Sequence, residues 1–196
     1  MKDKQIEKLI KDEEKRQKSV INLIASENYV SNDVLVALGS KLTNKYAEGY
    51  PGRRYYGGNS IIDKVEQMAI DRAYKLFKLK TSEWHINVQP LSGSPANFAL
   101  YSTLVPIGGK IMGMKLTSGG HLTHGHPLSM TGKLWKPIQF EVDPQTEMID
   151  YDAIEEIALK EKPNIIVAGF TAYPRVVDFN RFRSIADKCG ALLHVD

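Results

Sequence analysis

The chain has 196 residues, a formal net charge of +3, a single cysteine and ordinary apolar and charged fractions, which suits one good-sized domain and no more than about two. This balance excludes a disordered chain, and the longest apolar run, Ile165 to Phe170, is too short to cross a bilayer. The first twenty residues are dense in Lys, Asp and Glu and carry no secretory signal, the lone Cys189 has no internal disulfide partner, and no basic stripe with interleaved aromatics invites nucleic acid. A reducing cytoplasm is the expected home.

Residues 2–18 read as a charged helix with a thin apolar stripe (Ile6, Leu9, Ile10), an arm for another surface. A second short helix is expected over Asn32–Leu42. The stretch Asn44–Asn59, rich in Gly and Tyr with Pro51 inside it, has neither helical nor strand periodicity and reads as a long loop, which compact domains tolerate mainly for function. Ser60 with Asp63 then opens a helix whose apolar positions (Ile61, Ile62, Val65, Met68, Ala69, Ala73, Leu76, Phe77) fall at helical spacing.

A short strand is expected at Ile86–Gln89. Ser94 is then expected to cap a helix with Pro95 at its first position, running to Val105. Lys110–Met114 and Lys136–Glu141 read as strands. Asp150 caps a helix with acids in its first turn and lysines in its last, ended by Pro163. Asn164–Gly169 is nearly continuous in apolar residues, as a strand buried on both faces would be, and Asp178–Lys188 is a helix stopped by Gly190 before a last strand, Ala191–Asp196. The alternation predicts an α/β fold with a mostly parallel sheet, helices on both faces and ligands at the carboxyl ends of the strands. The chain stops at the end of a buried strand, as an incomplete gene or a fragment would.

Four places carry chemistry. Ser92-Gly93-Ser94, between a strand and a helix start, is either an anion site of backbone N–H groups and hydroxyls or a plain N-cap. The segment Gly119-Gly120-His121-Leu122-Thr123-His124-Gly125-His126 is a metal site, a loop against a ligand or a structural loop; no cysteine or acid within it completes a coordination shell. Asp196 ends a buried strand and needs a cationic or hydrogen-bonding partner unless water reaches it. The loop Tyr46–Gly58 offers Glu48 as a proton carrier and flat tyrosine rings, or is a packed surface loop. Cys189 follows Phe179, Phe182, Ile185 and Ala186 at helical spacing and belongs to the core.

Taken together and in order, Leu23-Ile24-Ala25-Ser26-Glu27-Asn28-Tyr29, Leu42 to Gly52, Arg54-Tyr55-Tyr56-Gly57-Gly58, Val88-Gln89-Pro90 with Ser92-Gly93-Ser94, Gly119 to Gly125 and His194-Val195-Asp196 closely resemble serine hydroxymethyltransferase. The resemblance runs through almost the whole chain from Val20 onward. It implies the aspartate-aminotransferase-like (type I) fold of pyridoxal-phosphate enzymes. Residues 1–58 would be an N-terminal arm and active-site loop, and 59–196 the first part of the cofactor-binding large domain, with the remainder and the small C-terminal domain absent.

It also implies residue roles. Ser92, Gly93 and Ser94 would bind the cofactor phosphate, His121 would stack on the pyridine ring, and Asp196 would pair with the ring nitrogen. Thr171 stands where the family generally has a serine near the ring oxygen. Ser26 and Tyr56 match residues that contact the amino-acid substrate, Glu48 an acid between substrate and folate, and Leu116, Gly120 and Leu122 the folate-contacting loop. Tyr46, Glu48 and Tyr56 would reach into the neighbouring subunit of a homodimer, or of a tetramer of dimers. Leu91 and Pro95 depart from the commoner His and Gln of the family. The Schiff-base lysine and the arginine for the substrate carboxylate are expected beyond Asp196, which would leave this chain alone inactive. The readings that compete are a glycine-dependent aldolase of the same fold and a non-catalytic remnant that only dimerises or binds RNA.

Overall fold

A computed structural model describes all 196 residues. Helix α1 (Lys4–Ser19) begins where the Asp3 carboxylate accepts from the N–H groups of Gln5 and Ile6. Helix α2 (Asn32–Leu38) is shorter than its apolar pattern predicts. Gly39 ends it, and Ser40 caps a separate 3₁₀ turn, Lys41–Asn44. The expected loop 44–59 holds a small antiparallel hairpin, β1 (Gly49–Tyr50) with β2 (Arg53–Arg54).

Helix α3 (Ser60–Leu76) is capped at Asn59 without a side-chain hydrogen bond, so the expected Ser60–Asp63 start is not the one made. Asp63 instead takes Arg54 Nε at 2.8 Å and the Gly52 N–H at 3.1 Å. A buried guanidinium draws the carboxylate more strongly than a helix end does. Ile86–Gln89 joins neither sheet; a strand needs a neighbour, and this one has none. Helix α4 (Gly93–Leu104) starts two residues earlier than expected, with Ser92 as N-cap and Pro95 in the third position rather than the first.

The central sheet is built from β3 (Lys110–Met114), β4 (Lys136–Phe140), β5 (Ile165–Ala168) and β6 (Leu192–Val195), all parallel, in the order β4-β3-β5-β6. A short helix, α5 (Met130–Leu134), precedes β4. Helix α6 (Tyr151–Glu161) precedes β5, and α7 (Phe179–Cys189) precedes β6. Asp150 and Asp178 cap α6 and α7 as their positions predict.

Side chains alternate across the sheet, and each face has its own core. Met112, Met114, Ile166 and Ala168 pack with Ile154 and Ala158 of α6 and Phe182, Ile185 and Ala186 of α7. On the opposite face Ile111, Ile165 and Val167 pack with Tyr101 and Val105 at the end of α4 and with Trp135. That is why β5 reads as an unbroken apolar run: it is buried on both sides. By contrast no residue of α1, α2 or α3 is buried, and Ile61, Val65, Met68, Leu76 and Phe77 leave an apolar face uncovered on α3.

The strand order positions the site. The chain leaves β3 toward one edge, to β4, and leaves β5 toward the other, to β6. Their carboxyl ends therefore open a crevice of the kind in which ligands of parallel sheets bind. The layer beneath it is held by Phe182, fully buried against Phe140, Phe170 and Tyr151. Phe182→Ala should cost about 3–5 kcal/mol, measured by chemical denaturation, because these rings cannot close over the cavity it leaves.

Candidate functional site

The carboxyl ends of β3, β5 and β6 and the first turn of α4 enclose a cavity of about 280 Å³. It is lined by Ser26, Ser92, Gly93, Ser94, Asn97, His121, His124, Phe170, Thr171 and Asp196. Seven of the residues singled out in the sequence meet here: Ser26, Ser92, Gly93, Ser94, His121, Thr171 and Asp196. A larger hollow of about 650 Å³ lies at the starts of α6 and α7, but its acids are occupied. Asp150 and Asp178 cap the helices, Asp152 pairs with Arg181, and Asp143 holds the turn at Thr146. The smaller cavity is where groups suited to a ligand converge.

At one side of it stands the N-terminus of α4. The Ser92 side chain makes no capping bond, and Pro95 has no N–H, so the Gly93 and Ser94 N–H groups and two hydroxyls are available to an anion. Nothing lies within 4 Å of where a Gly93 side chain would begin.

Asp196 stands with them: the strand before it, β6, lies at the sheet edge and is not buried as its apolar residues predict, yet the carboxylate is paired. His124 Nε2 is 2.7 Å from its Oδ2, and Asn97 Nδ2 donates to the same oxygen at 2.9 Å, while Oδ1 accepts from neither. The His124 hydrogen bond is the main cause that lowers this carboxyl to about 2; burial opposes it and the Asn97 bond adds to it. The group is an anion at any neutral pH.

The histidine loop is shaped by glycines. A Cβ on Gly113 of β3 would come within 2.9 Å of the His124 Cβ, and one on Gly120 within 2.0 Å of the Met114 carbonyl oxygen, so the loop lies directly on the strand it follows. His124 is completely buried. His121 is partly buried, and burial is the main cause that pushes its pKa down. Thr171 is set at the cavity by its N–H, which donates to the Gly119 carbonyl at 2.9 Å.

Ligating atoms of His121, His124 and Asp196 lie within 4.8 Å of one another. The acid that the loop lacks in sequence therefore arrives from the far end of the chain, already hydrogen-bonded to His124.

Other expected residues lie elsewhere. Tyr46 and Tyr56 meet edge to face at 5.4 Å beside the hairpin, and Glu48 is exposed there. That hairpin is pinned by Arg54, whose side chain is only 4% exposed and bonds Asp63, Glu66 and the carbonyls of Ala47 and Gly49. Leu116 lines a different hollow, of about 490 Å³, with Ala172, Tyr173 and Arg175. Gly120 is buried backbone beneath the loop, and Leu122 is exposed. None of these six lines the cavity. Sequence reading missed Asn97, His124 and Phe170 as site residues. Asn97 had one signal, its place one turn into the helix that Ser92 starts. His124 was visible only as one of three histidines.

The family model described as serine hydroxymethyltransferase matches residues 1–196. The chain is 55% identical over 194 residues to serine hydroxymethyltransferase of Nostoc sp., covering 99% of this chain and 44% of that one. With the enzyme of that name from Mycoplasmopsis synoviae it shares 55% over 194 residues, 99% of this chain and 45% of the relative. With the probable serine hydroxymethyltransferase of Mesomycoplasma hyopneumoniae it shares 53% over 196 residues, 100% of this chain and 46% of the relative. The chain thus spans a little under half the length of the curated relatives it matches.

The low pKa of Asp196 has a stability consequence. Because the folded value lies below the ordinary 3.8, its contribution is complete above that value and is lost as pH falls through about 2. Carboxyl carbon NMR should show Asp196 titrating near 2, and Asp196→Asn should remove the corresponding fall in stability over that window. Titration near the ordinary value would mean the His124 bond does not form.

Proposed function

Given that the chain belongs to the serine hydroxymethyltransferase family, we propose that the protein reversibly transfers the hydroxymethyl group of serine to tetrahydrofolate. The products are glycine and 5,10-methylenetetrahydrofolate, and the cofactor is pyridoxal 5'-phosphate on the type I fold of its enzymes. The observation that carries this reading is the pairing, in one cavity, of an anion-binding helix start with a carboxylate that stays ionised. A phosphorylated, protonated pyridine needs those two charges answered at once.

The donor set fits. Ser92, Gly93 and Ser94 would hold the phosphate through N–H and O–H groups. Asp196 would use its free Oδ1 to keep the ring nitrogen protonated. His121 would lie against the ring, and the Thr171 hydroxyl would hold the ring oxygen. When bound, the cofactor supplies an electron sink for charge that develops on the amino acid. Ser26, on the rim of the same cavity, would contact the substrate. Gly120 holds the histidine loop against β3, and with Leu116 and Leu122 it would shape the folate side.

Tyr46, Glu48 and Tyr56 lie outside this cavity and would serve a partner's, Glu48 as the proton carrier. The uncovered apolar faces of α2 and α3 support a homodimer, or a tetramer built from dimers. In this reading residues 1–58 are the arm and active-site loop, 59–196 begin the large domain, and the remaining length seen in the relatives supplies the Schiff-base lysine. No helix is long and apolar enough to cross a membrane, and we place the reaction in the cytoplasm.

The test is to prepare the protein at the relatives' length with pyridoxal phosphate and follow cofactor absorbance and glycine release. A coloured protein that forms glycine from serine only with tetrahydrofolate is expected. Asp196→Ala should lower turnover by roughly 100-fold or more, the scale of losing one preorganised charge. Glu48→Gln should lower folate-dependent turnover on the order of 100-fold while cofactor binding persists. Equally fast cleavage without folate would replace this reading with an aldolase.

A further inference from the structure

We infer that Asn97 and Thr123 are positioning residues that hold His121 as the neutral tautomer protonated on Nε2. The inference follows from counting donors along one buried chain of contacts. An ionised carboxylate only accepts hydrogen bonds. Asn97, 2.9 Å from Asp196 Oδ2, must therefore present its NH2 group and not its oxygen. The second hydrogen of that NH2 points to Thr123 Oγ1, also at 2.9 Å. A hydroxyl has a single proton. It also has two lone pairs, so after accepting from Asn97 it could give or take a proton at His121 Nδ1, 2.7 Å away; because that nitrogen accepts from the Thr123 backbone N–H, the hydroxyl donates to it. The Thr123 backbone N–H donates to the same nitrogen at 3.2 Å.

With two donors on Nδ1, the ring proton sits on Nε2. Asn97 is 4% exposed and Thr123 6%, so water does not substitute for either partner. Turning the Asn97 amide over would set its oxygen against the carboxylate and leave a buried hydroxyl in conflict. The charge of Asp196 thus dictates, through two neutral side chains, where the proton rests on a histidine it does not touch.

The groups facing His121 agree with this. His124, whose ring centre is 5.7 Å away, accepts the His121 backbone N–H on Nδ1 at 3.3 Å and meets Asp196 through Nε2, so it is Nε2-protonated as well. Neither imidazole needs a positive charge. That consequence rests on the proposed function: a neutral imidazole against a protonated pyridine avoids a second cation, and the Asp196 charge remains available to the ring nitrogen. The tautomer itself does not depend on that reading.

The experiment is nitrogen NMR of the full-length protein labelled with ¹⁵N-histidine, with and without pyridoxal phosphate, the His121 signal being assigned by its loss in His121→Asn. At neutral pH, Nδ1 is expected to be bare and Nε2 protonated in both states. Thr123→Val should produce a mixture of tautomers and weaken cofactor affinity about tenfold, the scale of one hydrogen bond. Asn97→Ala should do the same, and Thr123→Ser should restore the wild-type pattern. A wild-type His121 that is charged, or that carries its proton on Nδ1, would overturn the relay, as would an unchanged tautomer in Thr123→Val. The expected tautomer in a protein that binds no pyridoxal phosphate would uphold the relay and overturn the proposed function instead.

Discussion

An ionised carboxylate half-withdrawn into a cavity is held in place by donors, and at Asp196, at the tip of the edge strand β6, the donors come from far up the chain. Asn97 lies 99 residues earlier and His124 lies 72 earlier. These two bonds tie the first turn of α4 and the loop after β3 to the tip of β6. Most of the candidate site depends on that tie. With it, the helix start, the histidine loop and the carboxylate share one cavity; without it, they are three separate loop ends on a sheet.

The sheet makes the tie possible by its order rather than its size. Strands β3 and β5 are neighbours whose following segments diverge toward opposite edges, so no connection covers the crevice above them. Two apolar cores on opposite faces hold these strands rigid, and the glycines at positions 113 and 120 let the histidine loop descend onto β3. A cavity lined by polar groups therefore rests on a floor that does not give.

The chain up to Leu76 follows a different logic. Its helices bury nothing of their own, and the tyrosine-rich hairpin is fixed to α3 by a buried arginine with two carboxylates and two carbonyls rather than by an apolar core. Such a segment is rigid locally and incomplete as a surface. Those properties suit a loop that serves a site other than the one its own chain encloses.

Periodicity and caps in the amino-acid sequence were enough to determine the α/β alternation, the four strands of the sheet, the helices capped by Asp150 and Asp178, and the motifs by which the family is legible. These are local properties: residues three or four apart on a helix, or two apart on a strand, already declare which face is apolar. The errors lay where a distant partner overrode a local preference. Asp63 left its helix end for Arg54, and Ile86–Gln89 had the look of a strand but no neighbour to pair with. Ser92 rather than Ser94 began α4. Only the tertiary structure decided that Asp196 is paired with His124 and Asn97, that those two line the same cavity, and that Glu48 and its tyrosines lie outside this chain's own cavity. Those outcomes depend on contacts between residues tens of positions apart, and the distance between such residues is set by strand order and packing, which no local pattern encodes.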